Sequence, residues 1–291
     1  MKREKATISG VAISNPEKLW WPDEKISKID VAKFYDAISG SILPWLKGRP
    51  LTAERCPDGM SGPCFFQKNF ESGLPAGVPT VPIPTENARK MVHYVIGGSR
   101  RALLAMVNLG CIAVHVMNCR KDALARPDWV AFDLDPGSGK FADAAKAGKI
   151  LLEVLEALGV RSYPKTSGSR GLHVFVPLRR GPTQDEVRAF AASVGKILAK
   201  KAPQLVTVEM SKAKRRGRVF ADALRNAFGQ TIVSPYSVRR RPLAPISTPL
   251  DWSEVDPKLE PSVFNIRTFE QRLSGPNPWA DFWKRRQRLP G

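Results

Sequence analysis

The sequence predicts a mixed α/β fold in one compact unit. Apolar strand-like runs alternate with segments whose apolar residues recur at helical spacing, notably 141–158 and 184–201. Hydrophobic residues make up 43% of the 291, enough for a real core, and neither a repeat nor a low-complexity linker divides the chain. One apolar run, Val130-Ala131-Phe132-Asp133-Leu134-Asp135-Pro136-Gly137, carries two acids at its carboxyl end, where open α/β sheets present ligands.

The formal charge is +19, from 46 basic against 27 acidic residues, which points to a polyanionic partner, nucleic acid foremost. No run of about 18 apolar residues occurs, and Met1-Lys2-Arg3-Glu4-Lys5 carries no signal-peptide pattern, so the expectation is a soluble, cytoplasmic protein with no membrane role. The four cysteines show no C-x-x-C spacing and are too few for a disulfide framework, so reduced thiols are expected. A zinc site of Cys111, His115 and Cys119 would be looser than structural zinc spacings.

From the N-terminus, Ile8, Val11 and Ile13 alternate as in a strand, and Asn15 to Pro22 reads as a turn-rich loop pinned by Trp20 and Trp21. Ser27 caps a helix expected from about Lys28 to Trp45, with Val31, Phe34, Tyr35, Ile38 and Ile42 on one side. Lys18 and Lys28 flank its start, where free N–H groups and the positive end of the helix dipole favour a terminal phosphate. Two ordinary solvated lysines would look the same in sequence.

Proline and glycine are dense between Pro50 and Pro84, with strand-like pieces at 51–54 and 64–67. Phe65 and Phe66 would face opposite sides of a strand, one in the core and one free to stack on a base beside Lys68 and Arg55. The stretch from Ser72 to Lys90 lacks periodicity and is expected to be a long surface loop. Ser99 caps a helix over 100–109 with Gly110 as its stop, and a buried strand, 111–116, carries His115.

Alternation along a strand puts Asp133 and Asp135 on one face. Adjacent carboxylates repel, so a divalent cation is their simplest resident, with a strand end of solvated acids as the plain alternative. After the helix at 141–158, the run Lys165 to His173 combines Gly168 and Gly171, which allow a tight turn and close backbone approach, with donors and charge from Lys165, Ser167, Ser169 and Arg170. It leads into a strand, 172–177, and is not a Walker A loop. Thr183 and Glu186 form a capping box for a helix ending near Lys201. A strand at 205–210 and a basic run, Lys212 to Arg218, precede Val219-Phe220-Ala221-Asp222, which makes Asp222 the third candidate ligand of an oxygen-rich site suited to Mg²⁺ or Mn²⁺. Arg239, Arg240 and Arg241 lie in a Pro-bounded loop and could grip a triphosphate. From Leu250 an irregular tail is expected to be anchored by Trp252, Phe264, Phe269, Trp279, Phe282 and Trp283.

Taken together, Phe132-Asp133-Leu134-Asp135-Pro136, Thr166-Ser167-Gly168-Ser169-Arg170-Gly171-Leu172-His173, and Arg218-Val219-Phe220-Ala221-Asp222 with Pro235-Tyr236-Ser237-Val238-Arg239 give a close likeness. The chain resembles the polymerase domain of bacterial ATP-dependent DNA ligase D, of the archaeo-eukaryotic primase superfamily, over essentially its full length. That resemblance implies two apposed mixed or antiparallel sheets flanked by helices, with a catalytic cleft between them. It implies a single primase-polymerase domain over 1–291, in which 1–90 contributes DNA-end binding and 91–291 the catalytic core. Asp133, Asp135 and Asp222 would bind two divalent ions, Mn²⁺ in preference to Mg²⁺. Ser167, Arg170, His173 and Arg239 would hold the triphosphate of an NTP or dNTP, with His115 against its sugar. Asn15, Lys18 and Lys28 match the pocket for a 5′-phosphate at a break or gap, and Phe65 and Phe66 the pair that stacks on the template. The implied activity is templated gap filling and untemplated addition to 3′ ends, ribonucleotides favoured, in bacterial non-homologous end joining on the nucleoid, with Ku and a DNA ligase module as partners. Where that family commonly has Pro-Trp after the histidine, this chain has Val116-Met117-Asn118.

Two rivals fit parts of the sequence. Phosphatases of the haloacid dehalogenase type also open on a hydrophobic-D-x-D, but usually follow it with Thr, Val or Gly rather than Pro136. A non-catalytic basic module that binds DNA ends would leave the acids structural.

Overall fold

In the computed structural model, which describes residues 5–85 and 90–290, the strand Trp129–Pro136 decides the layout because its two faces meet different neighbours. Val130, Phe132 and Leu134 pack with Ala144, Leu151 and Leu155 of the helix Phe141–Ala157 and with Val187, Ala191 and Val194 of the helix Gln184–Lys201. Trp129 and Ala131 point the other way, into a core shared with a second sheet. Asp133 and Asp135 continue that inward row, so the acids lie between the two sheets.

The first sheet has the order Tyr163–Thr166, Leu172–Pro177, Trp129–Pro136, Val219–Asp222, Val206–Thr207, antiparallel except for the last pair. The second runs Ile232–Val233, Cys111–Val116, Pro50–Arg55, Met91–Ile96, Thr80–Pro84, with Phe65–Gln67 also paired to Pro50–Arg55, and is antiparallel throughout. The helices Lys28–Ala37 and Arg100–Asn108 share a core with Leu51, Val114 and Val116 of this sheet. Capping boxes at Ser27 and Thr183, and a cap at Ser99, start the helices as the sequence implies.

Four expectations need correction. The helix expected to reach Trp45 stops at Ala37 and resumes as Ser39–Leu46. Ser39-Gly40-Ser41 favours an end over an interior, and Pro44 has no N–H to donate back to Gly40. Within the expected loop at 72–90, Thr80–Pro84 is a strand; its prolines are tolerated because it lies at the sheet edge, and 86–89 fall outside the described residues. The strand expected at 205–210 shrinks to Val206–Thr207.

The fourth correction concerns the cysteines. Cys56 and Cys64 are joined by a disulfide, because Arg55 and Phe65 form the last rung of a hairpin and the next pair lies with Cα atoms 4.4 Å apart. Cys111 and Cys119 stay free and buried, and burial pushes both thiols up, Cys119 to about 11, which disfavours a zinc-binding thiolate.

The C-terminal aromatics close the inner face beyond the acids: Trp279 stacks on Phe282 at 5.3 Å and both reach Tyr163 and Trp45. Nearby, the fully buried Arg49 lies between Trp129 and Trp283 and pairs with Asp128 at 2.6 Å. Among the described residues no helix is long and apolar enough to cross a membrane.

Candidate active site

Strand register assembles the acids. Asp133 has Asp222 opposite it on one neighbouring strand and His173 opposite it on the other. Asp135 follows two residues along on the same face. All four line one cleft of about 610 Å³, together with Thr52, Phe66, Lys68 and His115 from the facing sheet and its edge.

Arg225 enters this cleft through a local device. Asp222 Oδ1 accepts the Leu224 N–H, and the buried Asn226 side chain bonds both the N–H and the C=O of Ala131, which fixes the turn Leu224–Asn226 onto the acid strand. Arg225 Nε then lies 3.2 Å from Asp133 and 3.3 Å from Asp222. Arg215, from the basic run, lies 3.7 Å from Asp135 and over the Phe220 ring. Nothing in the sequence singles out Arg225 beyond its position three residues after Asp222.

The acids therefore face one another across guanidinium groups. Among the described residues no three acid, His or Cys side chains are placed to hold a metal ion. Burial pushes Asp133 up, but His173 and Arg225 outweigh it and hold the carboxyl well below the usual range. Asp135 and Asp222 are pushed up, by burial first and by the Asp133 charge as well. Carboxylates crowded like this favour a cation, and an oxygen-only donor set is the kind that suits hard divalent ions.

The Ser/Gly turn forms an adjoining wall. Ser167 Oγ accepts the N–H groups of Ser169 and Gly171, folding the turn on itself. Gly168 has φ +67, and a Cβ there would meet Arg239 Cγ at 2.5 Å, so glycine is what lets Arg239 cross the turn. Arg239 donates to Ser167 O and Arg241 to Ser169 Oγ, while Arg239 Nε is buried without a partner among the described residues. Ser167, Arg170, His173 and Arg239 thus line the same cleft. Lys165 does not line the cleft. It is fully buried and bonded to Ser247, and burial, then Arg239, keeps its ammonium well below the usual lysine range. Burial, followed by Lys165, pushes His173 down to about 4, so its imidazole is neutral at pH 7.

On the facing sheet, Thr52 and His115 are paired across neighbouring strands, and both are buried. Thr52 Oγ1 and His115 Nε2 lack a partner among the described residues. Burial, then Arg239 and Arg225, keeps His115 neutral. Thr52 carries no sequence signal, since threonine in a strand is ordinary. Phe66 meets His115 edge-on at 5.2 Å and is 60% exposed, while Phe65 lies under Arg55 and is 48% exposed. Both rings are exposed where one was expected in the core, because Phe65–Gln67 is a three-residue segment too short to be covered.

Asn15, Lys18 and Lys28 do not line this cleft. Asn15 makes the bend, with φ +49. The helix N–H groups expected to be free are taken: Lys28 N–H by Lys18 O, Ile29 N–H by Pro16 O, and Asp30 N–H by Ser27 Oγ. Lys28 Nζ turns inward and donates to Ser14 O, Asn108 O and Asn108 Oδ1, and burial, then Lys18, pushes it down to about 8. Lys18 Nζ pairs with Asp58. A phosphate here would meet side chains rather than a helix end.

Comparison with known proteins gives one consistent result. Residues 27–279 match the family described as LigD, primase-polymerase domain. The chain is 34% identical over 289 residues to the multifunctional non-homologous end joining protein LigD of Pseudomonas aeruginosa, covering 98% of this chain and 34% of that protein. It is 30% identical over 277 residues to the bifunctional non-homologous end joining protein LigD of Bacillus subtilis, covering 94% of this chain and 44% of that one. The chain therefore spans less than half the length of these relatives. The solved polymerase domain from Mycobacterium tuberculosis Ligase D in complex with DNA superposes with a TM-score of 0.87 at 26% identity, covering 95% of this chain and 99% of that chain.

Proposed function

The chain belongs to the family of LigD primase-polymerase domains, and from that premise we propose that it is a metal-dependent nucleotidyltransferase acting on DNA 3′ ends at breaks. It fills gaps on a template and adds nucleotides without one, ribonucleotides in preference to deoxynucleotides. Its substrate is DNA with 5′-phosphorylated ends or gaps, and it works in bacterial non-homologous end joining beside Ku and a DNA ligase module. Family membership removes the phosphatase alternative. The observation that carries the proposal is the convergence of Asp133, Asp135 and Asp222 with Ser167, Arg170, His173 and Arg239 in one cleft facing His115 and Phe66.

Asp133, Asp135 and Asp222 would hold two divalent ions, Mn²⁺ or Mg²⁺, which lower the pKa of a 3′-hydroxyl and stabilise a leaving pyrophosphate when bound. The chain's own residues supply the rest. Ser167 and the turn after it offer short donors, and Arg170 and Arg239 offer charge, to the triphosphate, which also gives Arg239 Nε a partner. Neutral His173 supports Asp133 without adding to the field. Thr52 Oγ1 and His115 Nε2 form a wall that bonds sugar hydroxyls, and a sugar lacking one leaves a buried polar atom unpaired. Phe66 stacks on the template, with Phe65 beside it. Asn15, Lys18 and Lys28 receive the 5′-phosphate, so 1–90 serves the DNA end and 91–291 the chemistry, with Thr52 and Phe66 reaching into the shared cleft.

Primer extension in Mn²⁺ tests the proposal. On gapped, 5′-phosphorylated DNA we expect ribonucleotides to enter faster than deoxynucleotides, and on blunt ends untemplated addition. DNA binding without incorporation in either metal would leave the non-catalytic end-binding module as the answer.

A further inference from the structure

The hairpin closed by Cys56 and Cys64 lies between two of the DNA contacts assigned above. Its loop leaves the strand Pro50–Arg55 and returns directly into Phe65–Gln67. Gly59, at φ +76, sits so close to Trp20 that a Cβ would meet the Trp20 Cα at 2.8 Å, and the Met60 N–H donates to Trp20 O at 2.8 Å. On the other side the Cys56 N–H donates to Gly110 O. The loop is thus seated on Leu19–Trp21, and that seating brings Asp58 onto Lys18. The two side chains are 63% and 37% exposed, so a phosphate approaching Lys18 meets Asp58 as a competitor for the same ammonium.

We propose that the Cys56–Cys64 disulfide is a redox-responsive clasp that holds Asp58 on Lys18 and thereby weakens discrimination for a 5′-phosphate at the DNA end. It rests on the assignment of Lys18 to that phosphate. Cys56 is fully buried and Cys64 partly exposed, so the thiolate of a dithiol reductant attacks Cys64 Sγ. The S–S bond breaks, a mixed disulfide forms on Cys64, and the Cys56 thiolate leaves and takes a proton. The reductant's second thiol displaces Cys64, so two electrons and two protons pass to the protein and the reductant becomes a disulfide. What then holds the tip on Leu19–Trp21 is the Met60 N–H bond to Trp20 O and an exposed ion pair worth little by itself, so the loop opens, Asp58 departs and Lys18 is freed. Bacterial DNA lies in a compartment whose thiol pool is reducing, where a disulfide is a sensor more often than a staple.

Fluorescence anisotropy on gapped DNA with and without a 5′-phosphate tests this, using oxidised protein and protein reduced with dithiothreitol, with thiols counted by alkylation and mass spectrometry. Reduction should raise the affinity ratio of phosphorylated over unphosphorylated DNA by about 3- to 5-fold, the worth of one exposed ion pair. Cys64→Ser and Asp58→Asn should hold the raised ratio in both redox states. An unmoved wild-type ratio, a Cys64→Ser variant matching oxidised wild type, an Asp58→Asn variant that still responds, or four free thiols after oxidation would each overturn the clasp. Lys18→Ala tests the underlying assignment separately. An equal loss on both DNAs removes Lys18 from the phosphate pocket, whereas a lowered ratio beside a redox-inert wild type removes only the clasp.

Discussion

Replacing Arg225 by glutamine should loosen the metal-free protein and tighten its hold on Mn²⁺. Arg225 Nε bridges Asp133 and Asp222, whose side chains are 16% and 11% exposed, while its own is 40% exposed. Removing one partner of a buried pair costs about 3–5 kcal/mol. Water reaches Arg225, which cuts the cost to about 1–2 kcal/mol. In EDTA that lowers Tm by roughly 2–8 °C for a chain of this size. The same free energy enters metal binding with the opposite sign, because wild type must release the arginine before ions take the oxygens and the variant need not. Mn²⁺ affinity, read from the paramagnetic resonance of the free ion, should rise about 5- to 30-fold. Thermal unfolding with and without Mn²⁺ reads the other half of the cycle. A variant as stable as wild type in EDTA, with unchanged Mn²⁺ affinity, would refute the view that the guanidinium stands in for a cation.

Phe66→Ala should leave stability within about 0.5 kcal/mol, since the ring is exposed, yet weaken binding to gapped DNA by about 1–3 kcal/mol; an unchanged Kd removes the stacking role. Lys28, pushed down to about 8 by burial and then Lys18 from 10.5, binds fewer protons folded than unfolded between those values, so it makes stability rise with pH across that window. Urea unfolding of Lys28→Met should lose that rise, and an equal slope in both proteins counts against it. Asp128→Ala strands the fully buried Arg49 and should cost about 3–5 kcal/mol in chemical denaturation, while a loss below about 1 kcal/mol would show that Arg49 finds other partners.

Local signals were legible and cross-chain ones were not. The caps at Ser27, Ser99 and Thr183 are written within four residues of sequence, and each starts a helix. The inward row of Asp133 and Asp135 follows from alternation alone, and Asp222 from an apolar approach to an acid. The edge strand Thr80–Pro84 was hidden by its prolines, which only an edge tolerates. The disulfide depends on a hairpin register that the seven intervening positions do not reveal. Thr52 belongs to the cleft only because its strand pairs with the one carrying His115. Arg225 becomes a partner of Asp133 only through the turn that Asn226 pins to Ala131. The helix end beside Lys18 looked open in sequence, and its N–H groups are filled by Pro16, Lys18 and Ser27, residues of its own lead-in.

Single-nucleotide incorporation in Mn²⁺ on gapped DNA, by wild type and by Asp133→Asn and Asp222→Asn with DNA affinity measured alongside, tests the assignment of the chemistry to this cleft most directly. Wild type should extend the primer, and each variant should lose activity by about 10³-fold or more while its DNA Kd stays within about 3-fold. Extension by either variant at the wild-type rate, or a loss of activity matched by an equal loss of DNA binding, would contradict it.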